Sequence, residues 1–241
     1  MSNLGENIIS ATSTKGDGNM SLRFSDKETV RDNLGRFLVG CGLDKPQSVM
    51  MECDHGEKIV LLDKENLSDE SDWLHYLPAE VLVTGEANLA LLLLTADCLP
   101  ISFYDPVTKT IALAHLSRQT TTLNLSQKTV RFLETERGVN PANLKVAVGP
   151  HTHAKSYCFP LPLEDKHPTL APFITETDKI GQVDLKAANE TALKEAGVKP
   201  ENIDWSQIDT ATSKSHFSHY RNERNKNDTP GRMATPLLRT E

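Results

Sequence analysis

Three side chains that can bind a soft metal, or act as a nucleophile and its base, stand beside short apolar stretches of the chain. Cys98 follows an apolar run over residues 89–94, in the segment Thr95-Ala96-Asp97-Cys98-Leu99-Pro100, and His115 ends the next apolar stretch. His55 lies upstream in the polar turn Cys53-Asp54-His55-Gly56. One thiol and two imidazoles are typical of a zinc site or of a thiol–imidazole pair.

The wide separation of these residues suits a catalytic metal site, because such a site takes three ligands from distant segments and keeps a fourth position for water or substrate. The spacing alone leaves a purely structural interpretation open. Cys98 can equally be a small buried apolar residue, and His115 a hydrogen-bonded residue at a strand end.

Helical periodicity and end signals predict three helices. The capping box Ser25-Asp26-Lys27-Glu28 predicts a helix capped by Ser25 and ending at residues 40–42. The second is predicted over residues 126–137, and the third from Asp184 to Gly197. All three exits share a glycine, a proline and an apolar residue that enters a strand, which predicts a recurring helix–turn–strand unit.

Many short strands alternate with these helices. They are predicted over residues 48–52, 58–62, 80–83, 89–94, 101–104, 111–115 and 145–148. The pattern predicts an α/β (α+β) layered sandwich with mixed β-sheets. We expect a flexible N-terminus over residues 1–15 and one domain over residues 16–241, with polar loops at residues 66–72, 156–172 and 224–229.

Composition narrows the function classes. A net charge of −7 over 241 residues argues against a broad nucleic-acid surface. The longest apolar run is far shorter than the ~20 residues of a membrane helix. The N-terminal residues lack the apolar core of a signal peptide. Four cysteines at uneven spacing do not suggest a disulfide framework, so we expect a cytoplasmic protein with reduced thiols.

Several motifs, in order from about residue 16 to residue 236, resemble those of the laccase-domain family, also called polyphenol-oxidase-like or YfiH-like proteins. Residues 95–100 resemble its T-A-D-C-x-P motif, and Ala114-His115 resembles the start of its A-H-A-G-W-R-G motif. The other similar stretches are Gly18-Asn19-Met20-Ser21-Leu22 with Asp26 and Asn33, His55-Gly56, Gly149-Pro150, Asp184-Leu185 with Asn189, Phe217-Ser218 with Arg221, and Gly231-Arg232.

This resemblance implies the YfiH-like fold and a zinc-dependent purine nucleoside phosphorylase, with adenosine deaminase activity in some members. It implies His55, Cys98 and His115 as metal ligands, and a purine nucleoside and phosphate as substrates. Because the family was first described as copper-dependent polyphenol oxidases, copper is the alternative metal. Multicopper chemistry needs several histidine-rich centres, which eight scattered histidines do not supply.

The expected active site extends beyond the metal ligands. We assign Cys98, His115 and Asp97 to catalysis, with Asp97 either orienting the site or capping the turn. Basic and polar side chains at or beside the family's motifs are the candidates for contact with phosphate or nucleoside. They are Asn19, Arg118, His151, His153, Arg221 and Arg232.

The chain departs from the family directly after His115, where Leu116-Ser117-Arg118-Gln119-Thr120 replaces A-G-W-R-G. Gln119 stands at the position of the family's arginine, His153 at that of a glycine, and Cys53 at that of a glutamine. Three interpretations stay open at this point. The protein is a divergent phosphorylase, a zinc-binding relative that has lost phosphorolysis, or a hydrolase with a Cys98–His115 pair.

Overall fold

The computed structural model describes residues 4–44, 46–63, 72–163, 167–225 and 228–241. Its helices are α1 (Lys27–Gly40), α2 (Arg118–Thr122), α3 (Leu125–Arg137), α4 (Leu185–Glu195) and α5 (His219–Arg224). Its strands are β1 (Ile8–Ser10), β2 (Gln47–Glu52), β3 (Ile59–Leu62), β4 (Leu74–Pro78), β5 (Val81–Thr84), β6 (Leu89–Thr95), β7 (Leu99–Asp105), β8 (Thr110–Leu116), β9 (Lys145–Val148), β10 (Cys158–Pro160), β11 (Ile174–Thr177), β12 (Ile180–Val183), β13 (Ile203–Trp205) and β14 (Met233–Arg239).

The strands form two large sheets and one small one. The five-stranded sheet has the order β1-β14-β6-β2-β4, the six-stranded sheet β13-β9-β7-β8-β5-β3, and the small sheet β10-β12-β11. Both large sheets mix orientations. In the first, β2 runs parallel to β4 and β6 while β14 is antiparallel to β6. The prediction of mixed sheets in a single α/β domain is therefore confirmed.

Side chains that alternate between the two faces of β6 explain how the two large sheets and the helices stack in layers. Leu89, Leu91 and Leu93 point to one side and pack with residues of β5 and β8 from the other large sheet. Ala90 and Leu92 point to the opposite side and pack with residues of α1. The outer face of the six-stranded sheet packs against α3 and α4. Because successive side chains of a strand face opposite sides, one leucine-rich strand serves two cores of a helix–sheet–sheet–helix sandwich.

The boundaries of the three predicted helices, α1, α3 and α4, agree with the sequence except at the start of α1. Helices α2 and α5 were not predicted. There Asp26, and not Ser25, is the N-cap, and its carboxylate accepts a hydrogen bond from the Thr29 backbone N–H at 2.9 Å. The Ser25 hydroxyl instead accepts a hydrogen bond from Asn19 at 3.0 Å. A carboxylate and a hydroxyl are both good caps, so adjacent candidates compete and the sequence alone does not order them.

Strand β1 lies within the N-terminal segment that was expected to be flexible. It pairs antiparallel with β14, and Leu4 is buried. The expected loops at residues 66–72, 156–172 and 224–229 fall partly outside the described residues, at 66–71, 164–166 and 226–227. No helix in the described ranges is long and apolar enough to cross a membrane.

Candidate metal centre and active site

Strand pairing brings the Cys98 segment and His115 together at the same end of the two central strands of the six-stranded sheet. Strands β7 and β8 are antiparallel, with Pro100 opposite His115 and Leu99 opposite Leu116. Cys98 immediately precedes β7, in the short connection from β6. Asp97 in this connection has a φ of 90°, a conformation that residues other than glycine rarely adopt.

The turn between β2 and β3 supplies His55, which has a φ of 66°. Its backbone N–H donates a hydrogen bond of 2.6 Å to Oε1 of Glu80. This contact fixes the turn beside His115, and the two imidazole rings lie 5.3 Å apart between centroids in an edge-to-face arrangement. The structure therefore brings together the three side chains that the sequence analysis grouped.

Glu80 is completely buried immediately before β5, and both of its carboxylate oxygens are engaged at this site. Oε1 accepts the His55 backbone hydrogen bond, and Oε2 lies 2.7 Å from Nδ1 of the buried His115. A carboxylate on one imidazole nitrogen orients the ring and leaves the other nitrogen for a metal. Sequence analysis missed Glu80. Its signal was a lone acid between the apolar residues Ala79 and Val81.

Electrostatics favour a thiolate at Cys98. Burial raises the pKa of this thiol, but the charge of His115 and hydrogen bonds from both His115 and His55 outweigh burial and lower the pKa to about 7. The pKa of His55 is raised mainly by its hydrogen bond to Cys98. The pKa of His115 is raised despite burial, because Cys98, Cys53 and Glu80 surround it. Cys98 is thus readied for metal binding or for nucleophilic attack.

Asp97 holds neighbouring segments around Cys98. Its carboxylate accepts a hydrogen bond of 2.6 Å from the Thr210 hydroxyl and another of 2.6 Å from the Tyr220 backbone N–H. Its carbonyl oxygen accepts the Thr152 N–H at 3.0 Å. These contacts tie two loops and the first turn of α5 to the segment of Cys98. The assignment of Asp97 to catalysis stays a prediction.

Cys53 is a further sulfur donor that the sequence analysis did not assign to the site. Among the described residues, Cys53, Glu80 and His115 form a group whose candidate ligand atoms all lie within 4.8 Å of one another. Burial raises the pKa of the Cys53 thiol, and the neighbouring His115 acts in the opposite direction. In the sequence, the position of Cys53 two residues before the expected ligand His55 was the feature that could have indicated its place at the site.

The predicted substrate residues separate into two groups. Asn19 and Arg221 are committed to loop structure. The Asn19 amide bonds to Ser21, Ser25 and the Arg232 backbone. The Arg221 guanidinium donates to four carbonyl oxygens between residues 210 and 216 and to Asp228. Their contacts within the chain give them a structural role.

Arg118 and Arg232 are half-buried cations near the candidate metal centre. Arg118 begins α2 and lies over the Phe159 ring, with Cζ 5.1 Å from its centroid, while the neighbouring Gln119 is exposed. Arg232 lies over the Phe24 ring at 5.3 Å. Burial lowers the pKa of Arg232, and the nearby Cys98 and Asp97 act in the opposite direction. A partly desolvated guanidinium is a strong anion-binding group.

His151 and His153 lie next to Asp97 through the Thr152 contact, with ring centroids 4.9 Å apart. Nδ1 of the fully buried His151 lies 2.9 Å from the Gly149 carbonyl and donates to it, so Nε2 carries the lone pair. Nε2 of each ring is buried without a hydrogen-bond partner among the described residues. Burial lowers the pKa of His151 to about 4, so the ring is neutral at physiological pH.

The family model described as multi-copper polyphenol oxidoreductase laccase matches residues 10–240. The chain belongs to this laccase-domain family. YlmD of Geobacillus stearothermophilus, named a purine nucleoside phosphorylase, is 30% identical over 232 residues, covering 92% of this chain and 84% of YlmD.

Mouse LACC1, also named a purine nucleoside phosphorylase, is 27% identical over 212 residues, which cover 83% of this chain and 46% of LACC1. The chain thus spans less than half the length of the mouse and human relatives it matches. The crystal structure of Geobacillus YlmD has a TM-score of 0.87 at 27% identity, covering 100% of this chain and 94% of that one. YfiH of Bacillus licheniformis, at 24% identity and a TM-score of 0.82 over 97% of this chain and 93% of its own, supports the laccase-domain fold.

The donor set fits a zinc ion. Sulfur and imidazole nitrogen are the ligands that zinc prefers, and Glu80 supplies the orienting contact that metal-bound histidines usually have. Copper accepts the same donors, so the donor atoms alone leave copper as the alternative metal.

Proposed function

We propose that this protein is a zinc-dependent purine nucleoside phosphorylase whose metal is held by His55, Cys98 and His115. The observation that carries the proposal is the convergence of two imidazoles, those of His55 and His115, on the Cys98 thiol, whose pKa they lower to about 7. Relatives named purine nucleoside phosphorylases support the reaction class. A zinc ion, when bound, supplies Lewis-acid chemistry at the centre of the site.

Each surrounding residue has a part in the proposed reaction. Phosphorolysis exchanges the bond between C1′ and the base for a bond between C1′ and a phosphate oxygen, and the base leaves with a proton. Arg118 and Arg232 are proposed to hold the phosphate anion. The Nε2 lone pair of His151 is proposed to accept a hydrogen bond from the nucleoside, because a buried acceptor without a partner favours a ligand that donates to it. Nε2 of His153, also buried without a partner among the described residues, is proposed to make a second hydrogen bond to the nucleoside.

The replacement of the family's Gly-Trp-Arg-Gly segment bears directly on phosphate binding. In this chain Ser117 caps α2, and its side chain accepts the Thr120 N–H at 3.1 Å. The short helix turns Arg118 toward Phe159 and leaves Gln119 exposed. We therefore assign to Arg118 the anion contact that the family's arginine would make from the next position.

The test is a panel of adenosine, inosine, guanosine and methylthioadenosine, incubated with and without phosphate and analysed by chromatography. We expect free base and ribose 1-phosphate only when phosphate is present. Cys98→Ala is expected to lower zinc occupancy and to reduce turnover by at least about 100-fold, because one ligand of the metal is lost. Cys41→Ala, which removes a thiol from the exit of α1, is the matched control and retains both.

The other outcomes of this panel are distinct. Ammonia and inosine formed from adenosine without phosphate mean that deamination is an activity of the site. Full zinc occupancy with no turnover of any nucleoside contradicts the proposal and identifies a zinc-binding relative without phosphorolysis. Turnover that survives in zinc-free Cys98→Ala also contradicts it.

A thiol–imidazole hydrolase is the second candidate, and the low pKa of Cys98 beside His115 is the observation that favours it. Such an enzyme needs no metal. Activity that resists chelation but is abolished when Cys98 is alkylated supports the hydrolase. Activity that chelation removes and added zinc restores supports the phosphorylase.

A further inference from the structure

Cys53 lies where the metal ligands converge, although it has no counterpart in the ligand set implied by the family. It follows β2, is partly buried, and lies two residues before His55 in the same turn. Its sulfur, an oxygen of Glu80 and a nitrogen of His115 all lie within 4.8 Å of one another. The resemblance places glutamine at this position in the family's motif, so the second sulfur is a departure from that motif.

We propose that Cys53 is a fourth protein ligand, giving the metal two thiolates and two imidazoles. This inference rests on the proposed metal site. Within the close group, Glu80 is the less suitable donor, because His55 N–H and His115 Nδ1 already engage its two oxygens. The Cys53 sulfur is therefore the other donor of this group, close to His115, that a metal can use.

The coordination number favours this arrangement. Each thiol releases its proton to solvent on binding the metal. Four protein ligands are typical of closed, tightly held zinc, whereas three leave a position for substrate. Zinc held by Cys53 together with His55, Cys98 and His115 would therefore be bound more tightly than zinc held by three ligands.

Cobalt substitution tests the number of sulfur ligands directly. Cobalt(II) replaces zinc, and the sulfur-to-cobalt charge-transfer absorption increases with each bound thiolate. Per bound cobalt, we expect wild-type protein to absorb about twice as strongly as Cys53→Gln, which carries the family's residue. Cys41→Ser, which removes a thiol outside the site, should match wild type.

The outcomes separate this inference from the proposed function. Equal charge-transfer intensity in wild type and Cys53→Gln, with cobalt bound to both, overturns the role of Cys53 and leaves the metal site intact. If the wild-type protein binds neither cobalt nor zinc, both the role of Cys53 and the proposed metal site are overturned. Zinc competition against a colorimetric chelator should show binding to Cys53→Gln weakened by about tenfold or more, since even a partner of a ligand contributes that much.

Alkylation of the unmodified chain gives a test that needs no variant. Zinc-loaded and metal-free protein are treated with iodoacetamide, and each cysteine is quantified by mass spectrometry. We expect zinc to protect both Cys53 and Cys98, while Cys41 and Cys158, two partly exposed thiols, serve as internal controls. Protection of Cys98 alone contradicts the inference.

Discussion

Glu80 determines which nitrogen of His115 remains available to a metal. Its carboxylate engages Nδ1 at 2.7 Å and also anchors the His55 turn, so one buried acid orients two candidate ligands. A carboxylate buried in this way has a large desolvation cost that its hydrogen bonds must offset. The engaged carboxylate therefore presents His115 Nε2 in a defined direction before any metal arrives.

The reactivity of Cys98 in the metal-free protein should follow its lowered pKa. The thiolate is the reactive form, so alkylation accelerates as pH rises through about 7 and slows below it. Burial raises the pKa of Cys41, so alkylation of Cys41 should increase only at higher pH. The measurement is the rate of iodoacetamide labelling at each cysteine as a function of pH.

The His115→Gln variant is the control for the cause of this shift. It removes the cation that contributes most to lowering the Cys98 pKa, so the labelling curve of Cys98 should move toward higher pH. Superimposable curves for Cys98 and Cys41 in the unmodified protein would contradict the assigned thiolate.

At the residue scale, the sequence was informative where a residue's chemical type determines its use. The grouping of His55, Cys98 and His115 was visible because thiols and imidazoles are scarce and lie beside predicted strands. Glu80 was not visible, since its role depends on contacts with His55 and His115 that only the folded chain creates. The structural roles of Asn19 and Arg221 were also not predictable. Both side chains donate to backbone carbonyl oxygens, and every residue type has such an oxygen, so the sequence does not show which ones they bind.

The short helix α2 occupies the place of the family's glycine-rich segment, and its cap can be tested. The Ser117 side chain accepts the Thr120 N–H, and the Thr120 hydroxyl accepts the Ser117 N–H at 2.7 Å. Ser117→Ala should lower the free energy of unfolding by about 1 kcal/mol, because a buried N–H loses its partner. Because α2 begins with Arg118, the KM for phosphate should rise as well.

Chemical denaturation and phosphate-dependent kinetics measure the two effects. Thr135→Ala is the matched control, because it removes an exposed hydroxyl that bonds only to carbonyls of its own helix. Stability loss without a change in KM would mean that α2 does not position the phosphate contact.

Prediction at the element scale worked best for long apolar runs and for helices with clear ends. Strand β6 and helices α3 and α4 were predicted within a residue or two, and Gly42, Gly138 and Gly197 all adopt the left-handed exit. Strand β14 was missed because Pro236 breaks the strand pattern, although Pro236 pairs with Leu92 in the sheet. Helix α2 is too short for periodicity to detect.

The candidate metal centre lies where the two large sheets meet. His55 follows β2 of the five-stranded sheet, Cys98 lies in the connection from β6 to β7, and His115 belongs to β8 of the six-stranded sheet. A metal at this point links both sheets. Because metal binding requires the folded arrangement, its binding energy adds to the stability of the whole domain.

Two variants should separate the contribution of the metal to the free energy of unfolding from that of the core between the two large sheets. Free zinc at 100 times its Kd should add about 2.7 kcal/mol to the free energy of unfolding. Leu91→Ala, at a fully buried position paired with Val49 and Leu237, should remove about 2–5 kcal/mol whether or not zinc is present. Cys98→Ala should instead abolish most of the increment that zinc supplies.

Chemical denaturation of each variant, with zinc and with chelator, measures these contributions. Val39→Ala, at a position that is 55% exposed, is the control for side-chain truncation. The double variant should show additive losses, since Leu91 lies within the core and Cys98 at its edge. A zinc increment that persists in Cys98→Ala would place the metal elsewhere on the chain. An increment lost in Leu91→Ala would mean that the core, and not the ligand set alone, keeps His55, Cys98 and His115 together.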